Sequence, residues 1–107
     1  MRIAPHAFVD FDRMFGALAD HTRRDIVRRA ITAEEGIVEL ARHYSMSFAA
    51  VQKHIAILER AGLVTKARVG RRKVVRTNLE RLRVVRRLLD EYEERWSRSS
   101  PWAPKRA

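Results

Sequence analysis

The chain has no cysteine, which excludes disulfides, thiolate metal sites and cysteine nucleophiles together. It has no apolar run approaching the ~20 residues of a membrane-spanning helix, and its N-terminal MRIAPHAFVDFDR lacks the apolar segment of an export signal. A soluble, cytoplasmic protein with no membrane partner is expected. Neither a G-x-x-x-x-G-K-[ST] phosphate loop nor an evident Ser, His and Asp set occurs, and 107 residues leave little material for a substrate cleft. The chain therefore does not read as an enzyme. No internal repeat or second domain is visible. Acid is also in short supply: 13 Asp and Glu stand against 23 Lys and Arg, for a formal charge of +10 and a pI near 11.3. Such an excess points to a polyanionic partner.

The charge is concentrated. Between Gly62 and Asn78 lie Lys66, Arg68, Arg71, Arg72, Lys73 and Arg76, with no acid among them. Like charges crowded into one short segment repel unless a counter-charged partner relieves them. A merely solvated surface would intersperse acids, so this segment is expected to contact the polyanion.

Apolar spacing places these charges on elements. Phe8, Phe11, Phe15 and Leu18 recur with a helical period and predict a first helix from about Val9 to Ala19. Asp20 caps a second, ending near Ile31, with Ile26, Val27, Ala30 and Ile31 inward. An acidic loop at Glu34, Glu35 and Gly36 leads to a short third helix, Val38 to Tyr44, packed through Leu40 and Ala41. After a turn at Ser45 and Met46, Ser47 caps a fourth helix that runs to Ala61 and is stopped by Gly62. Leu63 to Arg68 and Lys73 to Thr77 then read as the strands of a hairpin around Val69-Gly70-Arg71-Arg72. Asn78 caps a fifth helix. Its Leu82, Val85, Leu89, Tyr92 and Trp96 step by 3, 4, 3 and 4, and Val84 and Leu88 widen that seam. Residues 8–96 are expected to form one folded unit, with a flexible N-terminus at 1–7 and a flexible basic tail at 97–107. The predicted fold is mainly α with a small β-hairpin. It is a winged helix-turn-helix of five helices, whose two-stranded wing lies between the recognition helix and the last helix.

The stretch MSFAAVQKHIAILERAGLV, residues 46–64, separates two faces. With Val51 at zero on a helical wheel, Ile55 and Leu58 fall within about 40° of it, while Ala49, Gln52, Lys53, Ala56 and Arg60 cluster opposite. A face so free of bulk suits close approach to base edges. Gln52 can bond adenine through its side-chain amide, and Ala49 can meet a thymine methyl. Lys53, the Ser47 hydroxyl and the helix N-terminus together suit a phosphate. Phe48 lies about 60° from the core centre, where packing is favoured over insertion at the DNA. His54 lies toward the core side, where a structural role and a phosphate contact are balanced. On the hairpin, Arg68, Arg71, Arg72 and Lys73 are expected to reach the backbone or minor groove.

The runs FGALADHTRRDIV (15–27), VELARHYSMSFAAVQKHIAILERAGLV (38–64) and VGRRKVVRTN (69–78) resemble the ArsR-type winged-helix transcriptional repressors, in the branch without metal-binding cysteines. His21 stands where that family usually has proline, and Gln52 where serine is frequent, so the base preference of relatives does not carry over. The resemblance implies a homodimer formed by the first and last helices, binding an inverted-repeat operator on double-stranded DNA and blocking transcription. The apolar stripes agree: Phe8, Phe11 and Phe15 with Leu82, Val85, Leu89, Tyr92 and Trp96 form the expected dimer interface, since a monomer would leave both uncovered.

Many members of that family sense metals. The last helix offers Asp90, Glu91, Glu93 and Glu94 without a histidine, and His6, His21, His43 and His54 have no close ligand spacing. No metal and no cofactor are expected. The regulatory signal is left open between an apolar ligand held between the first and last helices, an oligomer switch, and no inducer at all. The alternative reading is a winged helix that binds protein or RNA, which would be expected to expose apolar or acidic residues where Gln52 and Lys53 stand.

Overall fold

The computed structural model describes residues 5–104, with side chains from residue 11 onward. Helix α1 spans Pro5–Leu18, starting ahead of the expected Val9 with a proline, whose preset φ and missing N–H suit a first helical turn. Helix α2 spans His21–Thr32, and the Asp20 carboxylate accepts from the Arg23 amide at 3.0 Å as its cap. Helix α3 is only Ile37–Ala41, shorter than the expected segment to Tyr44. Beyond it Arg42, His43 and Tyr44 donate to the carbonyls three residues back, the tighter winding in which helix ends often finish.

Helix α4 spans Phe48–Arg60, capped by the Ser47 hydroxyl accepting from the Ala50 amide at 3.1 Å. It ends on a double bond pattern: Gly62 N–H to the Glu59 carbonyl and Leu63 N–H to the Leu58 carbonyl, both 3.0 Å. This termination needs a left-handed residue, and Gly62 supplies it with φ +76. A β-carbon there would also press to 2.8 Å from the Arg81 guanidinium.

Strands β1, Val64–Val69, and β2, Arg72–Thr77, pair antiparallel in the register Val64↔Thr77 to Val69↔Arg72. Only Gly70 and Arg71 remain for the turn, with positive φ confined to Gly70, as a type II′ hairpin requires. The far edge of β2 is occupied too. Gly36 bridges Val74, and the Val75 amide donates to the Glu35 carbonyl at 3.0 Å. Val74 and Val75, on opposite faces, are both 1% exposed. The hairpin is thus supported from both sides, as an isolated pair of strands in water would not be.

Helix α5 spans Leu79–Ser99, with the Asn78 side chain accepting from the Glu80 amide. It continues through Ser97 and Arg98, where a flexible tail was expected, and closes on a turn in which the Ala103 amide meets the Ser100 carbonyl. Prolines begin only at Pro101, and the Arg98 guanidinium lies 3.6 Å from Glu94, one turn back.

The core is shared by α1, α2, α3, α4, the base of the hairpin and the start of α5, through Met14, Ile26, Leu40, Val51, Ile55, Leu58, Leu63, Val64, Val75 and Val85. Polar ties supplement it. Arg23 donates to the Gly16 and Ala17 carbonyls and Arg24 to that of Leu18, satisfying the free C-terminal end of α1. The Thr77 hydroxyl donates to the Val27 carbonyl at 2.6 Å. Tyr44 donates its hydroxyl to Asp25 at 2.8 Å, and the same carboxylate takes Arg28 and Arg29 at 2.6 and 2.8 Å. These bonds, Arg28 first and then Arg29 and Tyr44, hold the Asp25 carboxyl well below the usual range. Burial, aided by the bond to Asp25, pushes the Tyr44 phenol up.

A carboxylate with a depressed folded-state pKa adds stability above its unfolded value, about 3.9 for Asp, and loses it as pH falls toward the folded value. Tyr44→Phe is therefore expected to cost about 1 kcal/mol for as long as Asp25 is ionised in the folded protein, and less only as pH falls through the lowered folded value. Urea denaturation of both proteins at pH 7 checks this, and an unchanged stability would show that Tyr44 contributes through packing alone.

Candidate nucleic-acid interface

Helix α4 carries the two faces that its sequence separates. Val51, Ile55 and Leu58 are at most 1% exposed, which pins the helix to the core. Ala49, Gln52, Lys53 and Arg60 are exposed, and Ala56 is half-buried. The outward face has small residues at Ala49 and Ala56 flanking one amide and one ammonium. A helix so fixed can enter a groove without moving its own side chains aside. Phe48 is 45% exposed, left at the N-terminal rim of this face and not packed into the core as its wheel position favours. Ser47 is exposed beside it, and its hydroxyl oxygen is already engaged as the cap.

His54 belongs to another structure. It is half-buried, and its Nδ1 lies 3.1 Å from an Arg23 guanidinium nitrogen. A guanidinium only donates, so Nδ1 is the acceptor and the proton sits on Nε2. The Asp20 carboxylate is 3.9 Å from the same ring nitrogen. His54 thus joins α4 to the corner between α1 and α2. Arg23 is the residue the sequence reading missed. Its setting in ADHTRRD was legible as a motif, but nothing local shows that its guanidinium spans α1 and α4.

The basic hairpin sorts its six cations. Lys66 approaches Glu59 of α4 at 3.5 Å, Arg72 pairs with Glu39 of α3 and also meets the Glu34 carbonyl, and Arg76 pairs with Glu34 at 2.5 Å. Arg68, Arg71 and Lys73 are exposed and have no acidic partner among the described residues. All three lie at the tip, and the register sets Arg68 directly across from Lys73. Opposed like charges are unfavourable in a hairpin, so this end of the wing suits an incoming anion. The segment has no acid of its own, yet the fold supplies three, and one of them holds Arg72.

The expected dimer surface divides. The Phe8 side chain lies outside the described residues. Phe11 packs partly on the chain's own core, as does Leu82, and Val85 is 8% exposed and fully part of that core. Val85 lies where α5 still touches the body of the protein. Phe15, Leu89, Tyr92 and Trp96 are between 40% and 59% exposed, joined by Trp102 at 82%. Among the described residues no group of three or more His, Asp or Glu side chains converges as metal ligands, and no helix is long and apolar enough to cross a membrane.

Comparison with known proteins agrees with this geometry. The profile of the family described as bacterial regulatory protein, arsR family, matches residues 20–66. The sequence is 38% identical over 88 residues to the HTH-type transcriptional regulator Rv2034 of Mycobacterium tuberculosis, covering 82% of this chain and 79% of that protein. Among solved structures, an ArsR-like transcriptional regulator from Rhodococcus sp. RHA1 is similar with a TM-score of 0.79 and 28% identity, over 90% of this chain and 88% of that one. A further ArsR family transcriptional regulator, RHA00566, superimposes with a TM-score of 0.79 at 29% identity, over 94% of this chain and 100% of that one.

The position of His54 makes a testable distinction. His54→Ala is expected to cost about 1 kcal/mol of stability, because the Arg23 guanidinium loses a half-buried partner, while affinity for random-sequence duplex stays unchanged. Thermal denaturation and fluorescence anisotropy measure the two effects. Unchanged stability with weakened duplex binding would return His54 to the contact surface.

Proposed function

Since the chain belongs to the ArsR family of bacterial regulatory proteins, we propose that it is a homodimeric repressor that binds an inverted-repeat operator in double-stranded DNA. As a member of a family of regulators it is not an enzyme. The observation that carries the proposal is the outward face of α4. An exposed Gln52 and Lys53 beside Ala49 and Ala56 have the bonding groups and the low profile that major-groove reading needs. Gln52 is assigned to a base edge. Lys53, Ser47 and the N-terminal turn of α4 are assigned to phosphate, and the wing tip at Arg68, Arg71 and Lys73 to the backbone or minor groove. The folded unit is taken as residues 8–96, extended by the first residues of α1 from Pro5 and by the last turn of α5. No metal, cofactor or membrane enters this reading, and the rival reading as a protein-binding winged helix is disfavoured by the polar face at Gln52 and Lys53.

The dimer in this proposal is supported by the exposed apolar residues of α5. Leu89, Tyr92 and Trp96 lie on one side of a helix whose later turns have few neighbours in their own chain, and Phe15 of α1 supplies a further exposed aromatic. Patches of this kind mark interaction surfaces. A two-fold axis through them would place two copies of α4 on successive stretches of one DNA face.

Gln52→Ala is expected to lose discrimination at one base pair in each half-site, at about 1 to 3 kcal/mol, and to keep its non-specific affinity. Lys53→Ala is expected to do the reverse. Sequences selected from a random duplex pool by the parent and by Gln52→Ala measure this, and identical consensus sequences would remove Gln52 from base reading. Replacing Leu89 and Tyr92 by glutamate is expected to give monomers that fail to hold a two-half-site operator. Sedimentation of the parent as a monomer at micromolar concentration would overturn the dimer.

A further inference from the structure

The wing is fastened to the body of the protein along β2, where the Thr77 hydroxyl donates to the Val27 carbonyl at its base and four further links follow toward the tip. In the middle are backbone links, the Gly36 bridge to Val74 and the Val75 amide on the Glu35 carbonyl. Outside them, one at each end, are the Arg72–Glu39 and Arg76–Glu34 ion pairs. Strand alternation explains the order: Arg72, Val74 and Arg76 share one face of β2, while Lys73 and Val75 share the other. The loop lies close against the strand: a β-carbon on Gly36 would come to 3.2 Å from the Lys73 carbonyl. Glu39 also turns one oxygen to the Gly36 amide at 3.4 Å, so the acid that takes Arg72 is tied to the loop that holds the strand.

Resting on the DNA-binding reading, we propose that Glu34 and Glu39 are positioning and specificity-determining residues. They hold Arg72 and Arg76 on the body of the protein, set the angle of the wing, and leave only Arg68, Arg71 and Lys73 for phosphate. The acids thereby subtract two cations per subunit from the sequence-independent attraction to DNA. A wing with Arg72 and Arg76 also free would bind any duplex more tightly and distinguish an operator less well, because phosphate contacts carry no sequence information. Each pair is itself half-exposed and adds little to stability. Its role lies in what each arginine is kept from doing.

The test compares three double variants with the parent on random duplex and on the consensus duplex that the parent selects. The slope of log affinity against log salt is the main readout. Each phosphate contact contributes roughly 0.9 to that slope. Arg68→Ala with Lys73→Ala is expected to flatten it by roughly two per subunit. Arg72→Ala with Arg76→Ala is expected to leave it nearly unchanged. Glu34→Gln with Glu39→Gln is expected to steepen it, raise random-duplex affinity and narrow the gap between consensus and random. Without DNA, the same glutamine pair is expected to speed hydrogen exchange at the Val75 amide a few-fold, since the ends of the fastening are gone.

Equal flattening by the Arg72/Arg76 and Arg68/Lys73 variants would overturn the proposal, as would glutamine variants that match the parent in both slope and exchange. A parent with no salt-dependent affinity for duplex would instead overturn the DNA-binding reading and the charge-holding half of this proposal. The exchange measurement would then decide the fastening by itself.

Discussion

Burial of Val51, Ile55 and Leu58 is the interaction on which the other elements depend. These three side chains sit on one stripe of α4, and α1, α2, α3 and β1 all pack against that helix. At roughly 1.5 to 3 kcal/mol for each large aliphatic side chain fully removed from water, the stripe contributes an amount comparable to the net stability of a small domain. Its second effect is geometric. A helix held by one face along its whole length cannot rotate, so the opposite face keeps a fixed direction. The rigidity that the proposed reading surface requires is a by-product of the same contacts that fold the chain.

The elements were legible from the sequence where one residue decided a local question. Asp20, Ser47 and Asn78 each cap the helix that follows, because an acceptor just ahead of free amides is useful whatever surrounds it. Gly62 ends α4 for an equally local reason. The wing was legible only by half. Summing charge over Gly62 to Asn78 finds no acid, yet Glu39 and Glu34 reach Arg72 and Arg76 across 33 and 42 positions of sequence, and no window of local composition contains both partners.

The long last helix failed to declare its partners for a different reason. A seam stepping by 3 and 4 states which residues share a side but not what covers each turn. Val85 and Leu82 meet their own core, while Leu89, Tyr92 and Trp96, on the same stripe, do not. The division follows from length: a helix of 21 residues rises roughly 1.5 Å per residue and outruns the small body it starts from. Arg23 and His54 show the same limit at close range. Their spacing was visible, but the contact between them depends on how α1, α2 and α4 meet.

Both tryptophans of the chain, Trp96 and Trp102, lie at the far end of α5 and in the turn beyond it, and neither belongs to the core. Indole emission therefore reports on that surface and is nearly silent about the packing around α4. A melting curve followed at those wavelengths would record the fraying of one helix end while the domain stayed intact. The same placement makes the unlabelled protein its own optical sensor of anything that covers α5, since a wet indole shifts its emission to the blue when water is excluded.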